Sequence, residues 1–229
     1  MSNSENANEE LNIKKLQGNE IAEADEFITF KVIIVGNSGV GKSSFLKRAA
    51  QNKFTDSYQA TIGFEFLLLY YDVNGTKIKL QIWDTCGQEM YRSLIQGFYR
   101  NTSLTVLLYS IDDQRSFDDL ESWIKDIKNS AENGQPIFLV ANKSDLDKEL
   151  RKIKEEDGNE FAKANSMEFF SETSARTGYK VDEIFLKIVS FLYKENYLKG
   201  KNKLKKLKLG QGNKDLEITT PDKKKKKCC

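Results

Sequence analysis

Eight residues, Gly36-Asn37-Ser38-Gly39-Val40-Gly41-Lys42-Ser43, restrict this chain more than any other feature. They follow the apolar, β-branched run Phe30 to Val35 and open a helix-like stretch, Lys42 to Gln51. Strand, glycine-rich turn and helix in that order match G-x-x-x-x-G-K-[ST], the spacing of a loop that cradles phosphates. Glycines let the backbone curl so that successive N–H groups point inward, and the helix N-terminus adds partial positive charge. Ser38, Gly39, Val40, Gly41 and Ser44 would line this cradle. Lys42 would reach the β and γ phosphates of a nucleotide, and the Ser43 hydroxyl offers a hard oxygen to Mg²⁺. Alone, the loop does not choose between ATP and GTP.

The rest of the middle reads as alternating strands and helices. Leu104 to Ser110 and Ile137 to Ala141 are further buried strands. Between them a helix spans roughly Ser116 to Asn129, with Phe117, Leu120, Trp123, Ile124 and Ile127 on one face. Glu155 to Ala164 reads as a helix and Glu168 to Ser171 as a short strand. Val181, Ile184, Phe185, Ile188, Val189 and Leu192 mark a final helix. Phe64 to Val73 and Lys77 to Trp83 flank Asn74-Gly75, the strongest short hairpin signal, because both turn residues tolerate positive φ. The expected fold is α/β: a six-stranded, mostly parallel sheet with one antiparallel edge strand and helices on both faces. Ligands of such sheets bind at the carboxyl ends of the strands, here just after Val35, Trp83, Ala141 and Ser171.

Each of those points carries a polar motif. Asp84-Thr85-Cys86-Gly87-Gln88 offers a carboxylate for the Mg²⁺ shell, a glycine whose N–H can approach a γ phosphate, and Gln88 to orient a water. In Asn142-Lys143-Ser144-Asp145 the Asp145 carboxylate can accept two parallel hydrogen bonds, which fits the N1–H and 2-amino edge of guanine. Adenine would present a lone pair there, and unpaired buried polar groups discriminate strongly. This motif selects GTP. Thr173-Ser174-Ala175-Arg176 offers backbone N–H groups to the guanine O6.

Composition removes other chemistries. The chain of 229 residues has no histidine, which excludes Ser-His-Asp triads, Cys-His dyads and His-ligated zinc. Three cysteines, two of them terminal, cannot build a disulfide framework, so a reducing compartment is expected. No apolar run approaches the ~18 residues of a membrane-spanning helix, and the polar start is neither a signal peptide nor a myristoylation signal, since Ser2 follows Met1. The net charge of +2 averages unlike pieces. Residues 1–26 hold seven acids against two lysines and read as a mostly disordered extension, with a short helix near Leu11 to Leu16. Residues 198–229 form a basic tail; Lys194 to Cys229 holds thirteen lysines against four acids. The near-neutral domain lies between, at 27–197.

Taken together, GNSGVGKS, TIG, WDTCGQE, NKSD and ETSAR resemble the Ras-like small GTPases, and specifically Rabs. Ile62-Gly63-Phe64-Glu65-Phe66, Lys79 to Asp84, Tyr91-Arg92-Ser93-Leu94 and Phe98-Tyr99-Arg100 are similar to Rab features. The resemblance implies the P-loop NTPase fold and a GTP/GDP switch that hydrolyses GTP with Gln88, Lys42 and Thr61 as its catalytic residues. It implies Mg²⁺ held by Ser43, Thr61 and Asp84, and a guanine nucleotide contacted also by Phe54, Tyr58, Gly87, Asn142, Lys143, Asp145, Ser174, Ala175 and Arg176. Ile62 to Phe66, Trp83 and Phe98-Tyr99 would read effectors. Tyr58 to Gly63, Arg92 to Ile95 and Thr177-Gly178-Tyr179 resemble the Golgi-associated Rabs, whereas the phosphate loop is less like theirs. The sequence departs from the family at Cys86, where alanine is usual, at Arg176, where lysine is usual, and at Ser110, where aspartate is usual.

The tail ends in five lysines, Lys223 to Lys227, and Cys228-Cys229. This resembles the doubly geranylgeranylated terminus of Rabs. Two lipid chains anchor stably where one does not, and lysines add attraction to an anionic leaflet. A nucleic-acid-binding or nuclear-import tail is the plainer reading of a lysine run; the cysteine pair favours the membrane, with no nucleic-acid partner. Implied partners are effectors, exchange factors, activating proteins and a prenyl chaperone for a monomer. The implied address is the cytoplasmic face of endomembranes, the Golgi among them, cycling with the cytosol. Two other functions remain open at this point: a scaffold that holds GTP with little turnover, which Cys86 would favour, and a P-loop kinase of small substrates, which Asn142 to Asp145 disfavours.

Overall fold

A computed structural model describes residues 11–24, 26–56, 64–85, 96–130 and 134–210, with 197–210 as backbone only. The chain divides into two compact units, Met1–Tyr193 and Lys194–Cys229. In order, the elements are β1 (Ile13–Lys15), α1 (Asn19–Ala22), β2 (Ile28–Val35), α2 (Lys42–Gln51), β3 (Phe64–Val73), β4 (Thr76–Thr85), a 3₁₀ turn (Gln96–Phe98), β5 (Leu104–Ser110), α3 (Gln114–Asp118), α4 (Leu120–Ser130), β6 (Ile137–Asn142), α5 (Glu155–Ala164), β7 (Phe169–Glu172) and α6 (Val181–Gly210).

The central strand explains its own composition. Val32 and Ile34 of β2 face a core completed by Phe45, Leu46 and Ala49 of α2 and by Val181, Ile184, Phe185, Ile188, Val189 and Leu192 of α6. Ile33 and Val35 face the other core, with Leu120, Trp123, Ile124 and Ile127 of α4. A strand covered on both faces must be apolar at every position rather than at alternate ones. Phe45 and Phe185 stack with centroids 5.2 Å apart, joining α2 to α6.

The sheet has seven strands in the order β1-β3-β4-β2-β5-β6-β7. β2 pairs parallel with β4 and β5, β5 with β6, and β6 with β7. β3 runs antiparallel to β4 through a turn in which Asn74 and Gly75 both take positive φ, 50° and 84°. Sequence reasoning expected six strands and an edge position for β3. The structure corrects both, because β1 pairs antiparallel on the outside of β3, with Ile13 opposite Val73 and Lys15 opposite Tyr71.

The same strand corrects the reading of a disordered extension for its described part, residues 11–24, and the helix expected near Leu11 to Leu16 is extended chain. An edge strand presents unpaired N–H and C=O groups that a neighbouring segment can satisfy. Leu11 and Ile13 pack against the core, Leu16 is buried, and the Leu16 N–H donates to Tyr70 O at 2.8 Å. Lys15 Nζ donates to the Ala49 carbonyl of α2. The described part of the head, 11–24, thus belongs to the first unit, and residues 1–10 and 25 lie outside the described residues.

The single helix expected over Ser116 to Asn129 is two, broken at Asp119. Strands β4 and β6 run further than expected. Asp84 pairs with Ile34, and Asn142 with Ser110, so both site residues are held in the sheet rather than in loops. Among the described residues no helix is long and apolar enough to cross a membrane.

Leu16→Ala is expected to lower unfolding stability by about 2 kcal/mol in urea denaturation, from lost burial and the cavity left behind. A loosely attached head would show no change.

Candidate functional site

The loop between β2 and α2 lies where three elements crowd together. Gly36 has φ 141°, and a Cβ there would lie 2.1 Å from the Leu108 carbonyl oxygen of β5. Gly41 has φ 95°, and its Cβ would lie 2.4 Å from Asn142 Nδ2. These two glycines allow a backbone approach that any side chain would block. Lys42 is buried at 5% exposure, and its ammonium donates to the carbonyls of Gly36 at 2.9 Å and Asn37 at 2.8 Å. Ser38 and Gly39 are exposed at the loop tip, Val40 is buried in the core, and Gly41, Ser43 and Ser44 are half-buried.

Asn142, at the end of β6, ties two motifs together. Its Nδ2 donates to Val40 O of the glycine loop at 2.9 Å, and its Oδ1 accepts from the Ala175 N–H at 3.0 Å. Close by, the Ser174 hydroxyl donates to Asp145 Oδ1 at 2.5 Å and accepts from the Thr177 N–H at 3.0 Å. The Asp145 carboxylate is therefore oriented by its neighbouring loop. Arg48 of α2 donates through Nε to Ala175 O at 2.9 Å and through Nη2 to Arg176 O, which fixes that loop from its other side. The Ser174 N–H donates to Tyr179 O at 3.2 Å, so both it and the Ala175 N–H, expected to face a base, make bonds within the protein. The loop closes on itself and on Asn142. Arg176 is exposed.

Lys143 takes a left-handed φ of 69°, and its ammonium lies 3.3 Å and 3.4 Å from the two Asp112 oxygens. The Ser110 hydroxyl donates to the same carboxylate. Burial alone would raise the Asp112 carboxyl; the Ser110 bond and the Lys143 charge outweigh it and hold the group below its usual range. Sequence reasoning found Ser110 only as a departure and gave Asp112 no role. The signal available was the Ser-x-Asp spacing at a strand end, which places a hydroxyl beside a carboxylate.

Ser43 and Asp84 meet at the mouth of the loop, where the Ser43 hydroxyl donates to Asp84 Oδ2. Asp84 is fully buried, and its Oδ1 has no hydrogen-bond partner among the described residues. Burial pushes the carboxyl up to about 6, against the Ser43 bond and the Lys42 charge. An unpartnered buried carboxylate oxygen is costly unless a cation or donor meets it.

Phe54 is half-buried and packs against the core. On the far side of β4, Phe64 and Phe98 lie 4.0 Å apart, Trp83 and Phe98 5.2 Å, and Phe66 and Trp83 5.1 Å. Phe66 is 45% exposed. Tyr99, expected on this surface, is buried in the core at 1% exposure, because it follows a turn that packs against α4. Tyr58, Thr61, Ile62, Gly63, Cys86, Gly87, Gln88, Cys228 and Cys229 lie outside the described residues.

Sequence comparison agrees with this geometry. The model of the Ras family matches residues 31–194, most of the chain. The chain is 39% identical over 156 residues to "Ras-related protein Rab-13" of Bos taurus, covering 68% of this chain and 76% of that protein. It is 39% identical over 166 residues to "Ras-related protein Rab-30" of Homo sapiens, covering 72% and 81%. It is 38% identical over 167 residues to "Ras-related protein RAB1BV" of Beta vulgaris, covering 73% and 77%. With a glycine loop, a buried lysine and an oriented Asp145 at the strand ends, and this family match over residues 31–194, the chain belongs to the Ras family of small GTPases and is a Rab-like, guanine-nucleotide-binding switch that hydrolyses GTP to GDP in vesicle transport.

Proposed function

We propose that the phosphates of GTP occupy the loop Gly36 to Ser43 and that guanine lies against Asn142 to Asp145 and Ser174 to Arg176. One observation supports this reading: Asn142 bonds to both loops at once, which brings the glycine loop and the loop that orients the Asp145 carboxylate to a common point. Asp145 would accept from the N1–H and 2-amino groups, and Lys143, braced by Asp112, would lie beside the base. Phe54 and Tyr58 are assigned to the base and to the closing of the first switch.

Hydrolysis needs little covalent chemistry from the protein. A water oxygen attacks the γ phosphorus, the bond to the β–γ bridging oxygen breaks, and GDP and phosphate leave. Gln88 orients that water, Gly87 offers its N–H to the γ phosphate, and the Lys42 ammonium meets the β and γ oxygens. The donor set fits Mg²⁺: hydroxyls of Ser43 and Thr61 with the buried Asp84 carboxylate, whose Oδ1 is unpartnered. When bound, the ion would offset negative charge on the β and γ phosphates. Thr61 and the stretch Cys86 to Gln88, which follows the strand residues Asp84 and Thr85, would be ordered by the γ phosphate and relax after hydrolysis, which is how effectors would distinguish the two states. Phe64, Phe66, Trp83 and Phe98 supply an aromatic surface for that recognition, with Phe66 already exposed.

The tail completes the proposal. Cys228 and Cys229 would carry two prenyl chains, and Lys223 to Lys227 would favour an anionic cytoplasmic leaflet of endomembranes. A monomer would cycle between that surface and the cytosol with exchange factors, activating proteins and a prenyl chaperone.

Asp145→Asn is expected to shift nucleotide preference from GTP to XTP, because the amide donates where the xanthine C2 oxygen accepts; unchanged GTP preference in competition binding would refute the base assignment. Gln88→Leu should slow single-turnover hydrolysis at least about tenfold with GTP affinity kept, since only the transition state loses an interaction. Asp112→Ala should speed GDP release about threefold at low salt, the size of a half-exposed ion pair, and the difference should shrink as salt rises. Equal release rates at every salt concentration would separate Asp112 from the site.

A further inference from the structure

Asn37, the second residue of the glycine loop, makes more contacts than phosphate binding requires. Its carbonyl oxygen accepts from the Lys42 ammonium at 2.8 Å. Its side chain turns the other way, toward α4. There Oδ1 accepts from the indole N–H of Trp123 at 2.8 Å, and Nδ2 donates to Asp119 Oδ2 at 2.7 Å. Asp119 and Trp123 are one helical turn apart and joined by the Trp123 N–H to Asp119 O bond at 3.1 Å. Asn37 is 8% exposed and Trp123 1%, so neither polar group has easy recourse to water.

The chemistry of the partners forces the amide. The indole N–H only donates and the ionised carboxylate only accepts. A residue bridging them must therefore accept on one atom and donate on the next, across the width of a single planar group. Asparagine does this without charge. Aspartate would satisfy Trp123 but set a second carboxylate beside Asp119; alanine would remove the oxygen that the buried indole N–H meets, at the cost that lost buried bonds incur.

We propose that Asn37 is a positioning residue for phosphate binding: by fastening the loop to α4, it fixes the backbone carbonyl that steers the Lys42 ammonium. The chain of contacts runs from Trp123 and Asp119 through both side-chain atoms of Asn37 to its own carbonyl and then to Lys42 Nζ. Two side-chain bonds hold Asn37 from one end, which limits how far its backbone carbonyl can swing. The ammonium therefore has a fixed resting point in the cradle, and its reorganisation on meeting phosphate is small, which is the condition for tight binding at a preorganised site.

The inference rests on the reading of Gly36 to Ser43 as a phosphate loop, which GDP binding by the unaltered full-length protein checks separately. The test compares release of a fluorescent GDP analogue, in the presence of Mg²⁺, from the unaltered protein, from Asn37→Asp, and from Asn37→Asp combined with Asp119→Asn. The single change sets two carboxylates face to face and should speed release about tenfold, the scale of losing a hydrogen bond to a charged group. The double change reverses donor and acceptor, keeps an oxygen at residue 37 to accept from the Trp123 N–H, and should return release to within about threefold of the unaltered rate. Trp123→Phe, which keeps an aromatic ring but removes the donor, supplies a second route: it too should speed release. Thermal unfolding is followed in parallel. A lower melting temperature with unchanged release in Asn37→Asp makes the contact a packing bond only and overturns the proposal. So does a double variant that releases as fast as the single one.

Discussion

Two hydrogen bonds from one buried amide hold the site together. Asn142 donates to Val40 O and accepts from the Ala175 N–H, so a loop after β2 and a loop after β7 are referred to a common point at the end of β6. The position of that point is fixed by the sheet, since β5 and β6 remain paired through Ser110 and Asn142. Gly41 is glycine because Asn142 is there: a side chain at residue 41 would occupy the space of the amide nitrogen. Two motifs distant in sequence are thus mutually required by sterics as well as by chemistry. A shorter side chain at residue 142 would free both loops and leave the Val40 carbonyl and the Ala175 N–H to find other partners within a closed space.

The polar groups that the sheet tolerates in its interior are concentrated at the carboxyl ends of its strands. Lys42, Asp84, Asn142, Thr173 and Ser174 are all buried there. Elsewhere β2, β5 and β6 are mostly apolar, the exceptions being Thr29 and Lys31 of β2 and the buried Thr105 of β5. Burial of charge opposes folding unless partners are supplied. Among the described residues Lys42 finds carbonyls, and Asp84 meets the Ser43 hydroxyl, with its other oxygen unmet. The carboxylate therefore retains a local demand for positive charge in the absence of ligand. That demand is the physical link between the fold and the proposed metal site: a group poorly satisfied by the protein alone is the one most improved by a cation.

What the sequence disclosed followed from how local each signal is. α2 and α5 and strands β3 and β5 run over the residues expected, because a glycine-rich turn, an Asn-Gly hairpin and runs of buried β-branched residues act over a few positions. The glycine loop between β2 and α2 and the polar motifs after β6 and β7 were legible in place for the same reason: each motif specifies local backbone shape. Less legible were features that depend on contacts across the fold. The extended segment Ile13–Lys15 is determined by the open edge of β3, some sixty residues away, and its acidic, asparagine-rich setting resembles disorder. Tyr99 looks like surface in a polar stretch and is core because α4 lies over it. The Asp112 carboxylate gains its role from Lys143, thirty-one residues on, and Asn37 from a helix more than eighty residues on. No periodicity within a short window records such pairs.

The added strand also bears on how switching is transmitted. Residues 57–63 lead into β3 and residues 86–95 follow β4, so both proposed switch segments join the open end of one hairpin, where Phe64 pairs with Thr85. The opposite end is closed by Asn74-Gly75 and fastened by β1: Asn12 and Asn74 exchange hydrogen bonds, and Ile13 pairs with Val73. A two-stranded ribbon with a free outer edge can slide or twist along its length. With the outer edge of β3 occupied near the turn, and β4 paired to β2 as far as Asp84 with the Thr85 hydroxyl donating to Ile34 O, such motion is opposed along β4 and left to the Phe64 end of β3, which β1 does not reach. The aromatic cluster of Phe64, Phe66, Trp83 and Phe98 lies at that permitted end. In this arrangement nucleotide-dependent movement would be confined to the stretch that carries the exposed recognition surface, and the N-terminal strand is part of the anchor against which it moves.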